Sequence, residues 1–205
     1  MISKVRDICN EKKQYFVCEG AGGKSDKRFT AGILHKLNQP CNSKELEYIK
    51  SILGNFSHQF MEFYKNYNGA LLFCDSLSDT AGFELAPVAD WERLGEEMRA
   101  WYDLLDDEER EIDEFDWLND GITFGQVPHS GNYFVLALSG SNKGKIIYSD
   151  HDGLEPTVYA DSLFEFLEKI ISNPVNEIEH LGCYARYSDG KTNIQWIPIQ
   201  YLVNR

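Results

Sequence analysis

Between Ile122 and Ala160 the chain places four short runs rich in β-formers: ITFGQ (122–126), NYFVLAL (132–138), KIIYS (145–149) and TVYA (157–160). Gly, Ser, Asn and Asp turns divide them, as they divide adjacent strands. Upstream of Ile122, and again after Ala160, apolar residues recur instead at the helical period of three and four. Helices, then strands, then a helix exclude a regular βαβ alternation. The pattern predicts a single α+β domain with a mostly antiparallel central sheet packed against helices.

The helices carry their own start and stop signals. Asn42 followed by Glu45 forms a capping pair, and Leu46, Ile49 and Leu53 then share a face up to Gly54. Ser57 precedes Phe60, Phe63, Tyr64 and Tyr67, the spacing of a buried stripe, and Asn68-Gly69 supplies the stop. Trp91, Leu94, Met98, Trp101 and Leu105 line a third helix. Ser162 and Glu165 cap a fourth, with Leu163, Phe166, Leu167, Ile170 and Ile171 facing inward. Helices are therefore predicted over 44–53, 58–67, 91–104 and 162–172. Phe60, Phe63, Leu136, Ile147, Leu163 and Leu167 are predicted to be buried together.

The ends are less regular. Ile2, Val5, Ile8 and Cys9 suggest a short helix, YFVC (15–18) a strand, and GAGGKSDKR (20–28) a mobile loop. That loop departs from a phosphate-binding motif, because Cys18 stands where the first glycine is needed. ALLFC (70–74) and FELAP (83–87) are short strand candidates. After Asn173-Pro174 a short helix runs to Leu181, and CYARYS and KTNIQW around Asp189-Gly190 read as a hairpin.

Charge narrows the function classes. The formal net charge is −13. Residues 1–55 carry a net +4, whereas residues 90–120 carry −11. Nucleic-acid binding needs a basic footprint, so this balance points away from it and toward a basic protein as partner. No apolar run approaches a membrane span, and the N-terminus lacks a signal-peptide core. The five cysteines form no CxxC pair and read as reduced thiols, so a cytoplasmic setting is expected.

Sites of chemistry are few. The five histidines never pair at metal-ligand spacing, so neither metal nor cofactor is expected. SDHDGLE (149–155) departs from a calcium loop, and PHSG (128–131) lacks a nucleophile elbow; both read as turns. DLLDDEEREIDEFDW (103–117) is different, with nine acids and one base. Like charges at that density oppose compaction, so a basic partner gives the stretch a use. Asp106, Asp107, Glu109, Asp113, Glu114 and Asp116 are the candidate contact residues. Trp117 is the candidate hydrophobic anchor, because tryptophan is enriched at binding hot spots. Trp91 and Trp101, on the apolar helical stripe, are assigned to the core.

FSHQFMEFYKNYNGALLF (56–73) resembles the helix-then-NG signature of the SUKH superfamily, which includes fungal regulators of cell-wall synthesis and bacterial immunity proteins. ITFGQVPHSGNYFVLALSGSNKGKIIYSDHDGLEPTVYADSLFEFLEKI (122–170) resembles its second half. The resemblance implies a SUKH-like core domain over 41–172. Residues 1–40 form a partly mobile N-terminal extension, and 173–205 a C-terminal helix and β-hairpin packed on the same domain. It also implies a non-enzymatic role: an immunity protein neutralising a cognate bacterial toxin, such as a basic nuclease, or alternatively an intracellular scaffold or regulator with no toxin partner. The FSHQF start of the second helix and the long acidic 88–120 segment depart from the family pattern.

Overall fold

The structure, a computed structural model, describes residues 1–11, 13–103, 117–152, 157–182 and 184–203. In chain order its elements are α1 (Ile2–Asn10), β1 (Gln14–Gly20), β2 (Phe29–Leu37), α2 (Ser43–Leu53), α3 (Ser57–Tyr64), β3 (Ala70–Asp75), β4 (Phe83–Leu85) and α4 (Trp91–Tyr102). They continue as α5 (Trp117–Asp120), β5 (Ile122–Val127), β6 (Asn132–Leu136), β7 (Ile146–Ser149), β8 (Thr157–Ala160), α6 (Leu163–Ser172), α7 (Pro174–His180) and β9 (Trp196–Val203). The strands form one nine-stranded sheet in the order β8-β7-β6-β5-β4-β3-β2-β1-β9. Every neighbouring pair is antiparallel. This is the predicted α+β domain.

Local signals position the helices. The Asn42 side chain accepts from the N–H groups of Lys44 and Glu45, and Glu45 accepts from the Asn42 N–H, closing the capping box. Ser162 Oγ accepts from Glu165 N–H at 3.2 Å to start α6. Each cap satisfies donors that a helix start would leave bare. The six predicted core residues are all buried.

Around β5, β6 and β7 the sheet is covered on both faces. On one face Phe124 meets Phe60 and Phe166, and Phe134 meets Phe166 at 4.8 Å, so α3 and α6 lie there. On the other face, Tyr102 at the end of α4 exchanges a hydrogen bond with Ser149 Oγ at 2.9 Å. Ser149 is opposite Tyr133 in register, so α4 crosses the side of the sheet opposite Phe134. Gly121 lets α5 close on the same side, because a Cβ there would stand 2.6 Å from Val135 Cγ1 and 2.5 Å from Trp117 O.

The β9–β1–β2 end is built differently. No element is predicted over Phe29–Leu37, and a hairpin is predicted at the C-terminus. Instead Phe29–Leu37 is an inner strand, and Trp196–Val203 pairs with β1, with Phe16 opposite Tyr201. Among the described residues a single bridge, Tyr187 to Trp196, remains of the hairpin. The Asp189 carboxylate accepts from the N–H groups of Lys191 and Thr192 and holds that segment as a turn. The longer apolar run beyond it gains more by joining the sheet.

A polar knot ties this end together. The β2–β3 register slips around His35, and Phe73 has φ +57. His35 Nδ1 accepts from the Phe73 N–H at 3.2 Å, while Nε2 donates to Gln14 Oε1 at 2.9 Å. Gln14 donates to Ile8 O, and the Tyr201 hydroxyl donates to Gln14 Oε1. An accepting Nδ1 requires a neutral ring, and burial lowers the His35 pKa to about 4. Cys9, Cys18, Cys41 and Cys74 are free thiols, and burial pushes Cys9, Cys18 and Cys41 up to about 12.

Candidate partner-binding surface

Asp106, Asp107, Glu109, Asp113, Glu114 and Asp116 lie outside the described residues. The residues that flank the stretch are well defined. Tyr102 ends α4, Trp117 begins α5, and their rings meet edge to face at 5.8 Å. The two residues that flank the stretch therefore lie at neighbouring points, on the sheet face that α4 covers.

The two tryptophans exchange the roles expected of them. Trp117 is 1 % exposed, so it is core and no surface anchor. It fills the space between Tyr102 and the sheet that Gly121 leaves open. Its indole Nε1 has no hydrogen-bond partner among the described residues. Trp101 is 38 % exposed. Successive helical residues point about 100° apart, and the buried stripe of α4 runs Trp91, Leu94, Gly95, Met98, Tyr102. Tyr102 takes the inward position, which turns Trp101 to the rim of the stripe.

The Trp101 ring lies 4.8 Å from that of His151, and His151 lies 5.6 Å from Tyr184. Gly131, at φ +84, sits beneath this pair; a Cβ there would press on both His151 and Trp101 at 3.3 Å. It belongs to the PHSG turn joining β5 to β6, in which Ser130 Oγ donates to Val127 O and accepts from the Asn132 N–H. SDHD is likewise a turn, with Asp152 N–H donating to Asp150 Oδ1. PHSG is thus the turn that the sequence predicted, while 153–155 of SDHDGLE lie outside the described residues.

His151 is held rigidly. Asn132 Oδ1 accepts from the His151 backbone N–H at 3.1 Å and faces Nδ1 at 2.6 Å. Nε2 lies 3.0 Å from the Asp152 carboxylate. Buried Asn132 also donates to the Tyr148 hydroxyl, anchoring the network in β6 and β7. The Tyr184 hydroxyl donates to Asp152, and its pKa is raised by desolvation and by that carboxylate. The product is an aromatic platform, Trp101–His151–Tyr184, edged by Asp150 and Asp152 and chemically suited to a cation. A guanidinium over an indole face gains about 0.5–2 kcal/mol, more as water is excluded. Sequence reading missed it because its three rings come from residues 101, 151 and 184.

Among the described residues, no group of three or more His, Cys, Asp or Glu is placed to hold a metal ion. No helix among them is long and apolar enough to cross a membrane. No curated protein matches the chain. Residues 40–169, however, match the SMI1 / KNR4 family (SUKH-1), a span from the start of α2 through most of α6. With that match over more than half its length, and with the α+β sheet that the resemblance implied, the chain belongs to the SMI1 / KNR4 (SUKH-1) family.

Proposed function

We propose that this family member is a non-enzymatic, cytoplasmic immunity protein that binds and neutralises a basic toxin. The contact surface is the Trp101–His151–Tyr184 platform with the adjoining acidic stretch, 103–116. One observation carries the reading: a large aromatic ring stands exposed among carboxylates, two residues before nine acids in fifteen. An exposed, rigidly backed tryptophan has the character of a binding hot spot. Clustered negative charge raises the encounter rate with a basic protein by about 10–10³-fold. Inhibition by surface contact needs no catalytic group of its own.

The test is rescue. Where a toxin domain is encoded beside this chain, cells producing it are expected to survive when the intact chain is co-produced. They are expected to die when it carries Trp101→Ala together with Asn or Gln at the six acidic positions. A folded wild-type chain that neither protects nor binds any such toxin would overturn the proposal. The scaffold or regulator role also implied by the resemblance would then be preferred.

A further inference from the structure

A second site of different chemistry lies on another side of α4. A cleft of about 210 Å³ opens between α2, α4 and the start of β5, lined among others by Tyr48, Glu92, Gly95, Arg99, Asp120 and Thr123. Thr123 is 1 % exposed, and its hydroxyl has no hydrogen-bond partner among the described residues. A buried hydroxyl left unpaired weakens a fold, so its retention calls for a reason. Half-buried Arg99 makes no side-chain hydrogen bond or ion pair among the described residues. Its place in the last turn of α4 suits a cation, yet the helix end does not explain why the guanidinium stands unpaired beside a polar cleft.

Gly95 adds an independent clue. A glycine inside a helix costs stability relative to alanine, and Gly95 lies buried in the middle of α4. A Cβ there would stand 3.2 Å from Arg99 Nη1. Its absence lets the guanidinium lie back along the helix. Arg99 and Trp101 point about 200° apart around α4, so the cleft is separate from the aromatic platform.

We propose that this cleft binds a small zwitterion, the free α-amino acid class. The ligand carboxylate is received by Arg99 in the planar geometry a guanidinium favours, with the Thr123 hydroxyl as second partner. The ammonium is received by Glu92 and Asp120, whose charge disfavours a simple anion. Exposed Tyr48 forms a wall. The volume is below that of drug-sized pockets, which suits a compact ligand.

The experiment is an amide NMR titration of the full chain with each standard amino acid at millimolar concentration, with acetate and the corresponding amino-acid amides as controls. At least one amino acid is expected to shift the Gly95, Gly121 and Thr123 signals saturably. Its amide and acetate are expected to bind at least about tenfold more weakly, the value of a charged hydrogen bond. Arg99→Gln, with a dispersed spectrum, is expected to abolish the response. Thr123→Val is expected to weaken it, and it decides the matter should Arg99→Gln fail to fold. Absence of a saturable shift with every amino acid would overturn the proposal and leave the Thr123 hydroxyl to water. An equal response to acetate, or unchanged binding in the folded variants, would also overturn it.

Discussion

Strand β6 is buried at all five of its residues, whereas β1 buries Gln14, Phe16, Cys18 and Gly20 and leaves Glu19 exposed between them. The difference extends to their neighbours. β7 is wholly buried, while β2 hides Ala31 and Ile33 and exposes Thr30, Leu34 and Lys36. β6 and β7 lie within the matched family span, between α4 on one face and α3 and α6 on the other. β1, β2 and β9 lie outside it. β6 and β7, inside the family core, thus have the character of an interior, although the edge strand β8 beside them exposes Thr157 and Val158. The end outside that core is a one-sided sheet, held from its buried face by aromatic rings and the His35–Gln14–Tyr201 knot. A side chain packed from both sides has no room to relax when cut back, whereas one on an open face meets water.

Truncation tests that contrast most directly. Phe134→Ala, in the two-sided part, is expected to cost about 3–5 kcal/mol in urea unfolding, and Trp117→Ala a similar amount. Val17→Ala, on the open face of β1, is expected to cost under about 1 kcal/mol. Equal losses at Phe134 and Val17 would erase the distinction.

Acid is expected to act on the one-sided end. The folded pKa of His35 is lowered, so its contribution is complete above the ordinary value of 6.5 and is lost as pH falls toward about 4. Across that window the loss amounts to about 3 kcal/mol, as the unfolded chain takes the proton first. His35→Gln removes the titration, so stability should fall less steeply with acid than in the wild type. Parallel pH profiles for the two proteins would assign the acid sensitivity elsewhere.

The surface tests are milder in stability and specific in binding. Trp101→Ala is expected to change stability by under about 1 kcal/mol yet to speed dissociation from the proposed basic partner. Neutralising Asp106, Asp107, Glu109, Asp113, Glu114 and Asp116 should leave stability unchanged or slightly raised and slow association by about tenfold at low salt. That effect should fade at high salt. Unchanged rates at both salts would make the acidic stretch a solvated surface without a partner. Smallest of all should be Lys4→Ala. Lys4 bonds Glu168 at 2.7 Å and so links α1 to α6, but the two side chains are 57 % and 42 % exposed. Such a pair contributes under about 1 kcal/mol. A large loss would mean that α1 depends on this one contact.

Much of the fold was legible in the sequence. The capping residues Asn42, Glu45 and Ser162 mark helix starts, and the turn-bounded runs from Ile122 to Ala160 mark β5 to β8, because both signals act over a few neighbouring residues. β2 was harder to read. Gly32 interrupts its alternation, and the slip at His35 shifts its register. Of the proposed binding surface, the acidic stretch and its charge were visible, but the platform was not.

By itself, then, the sequence determined the helices, the antiparallel α+β class and six residues of the core, since period and capping are written locally. Tertiary structure alone decided that Phe16 pairs with Tyr201, that Trp117 goes inward while Trp101 faces out, and that Trp101, His151 and Tyr184 share one surface. The physical reason is that strand partners and exposed faces are chosen by the burial of the whole chain. No short window contains both members of such a pair.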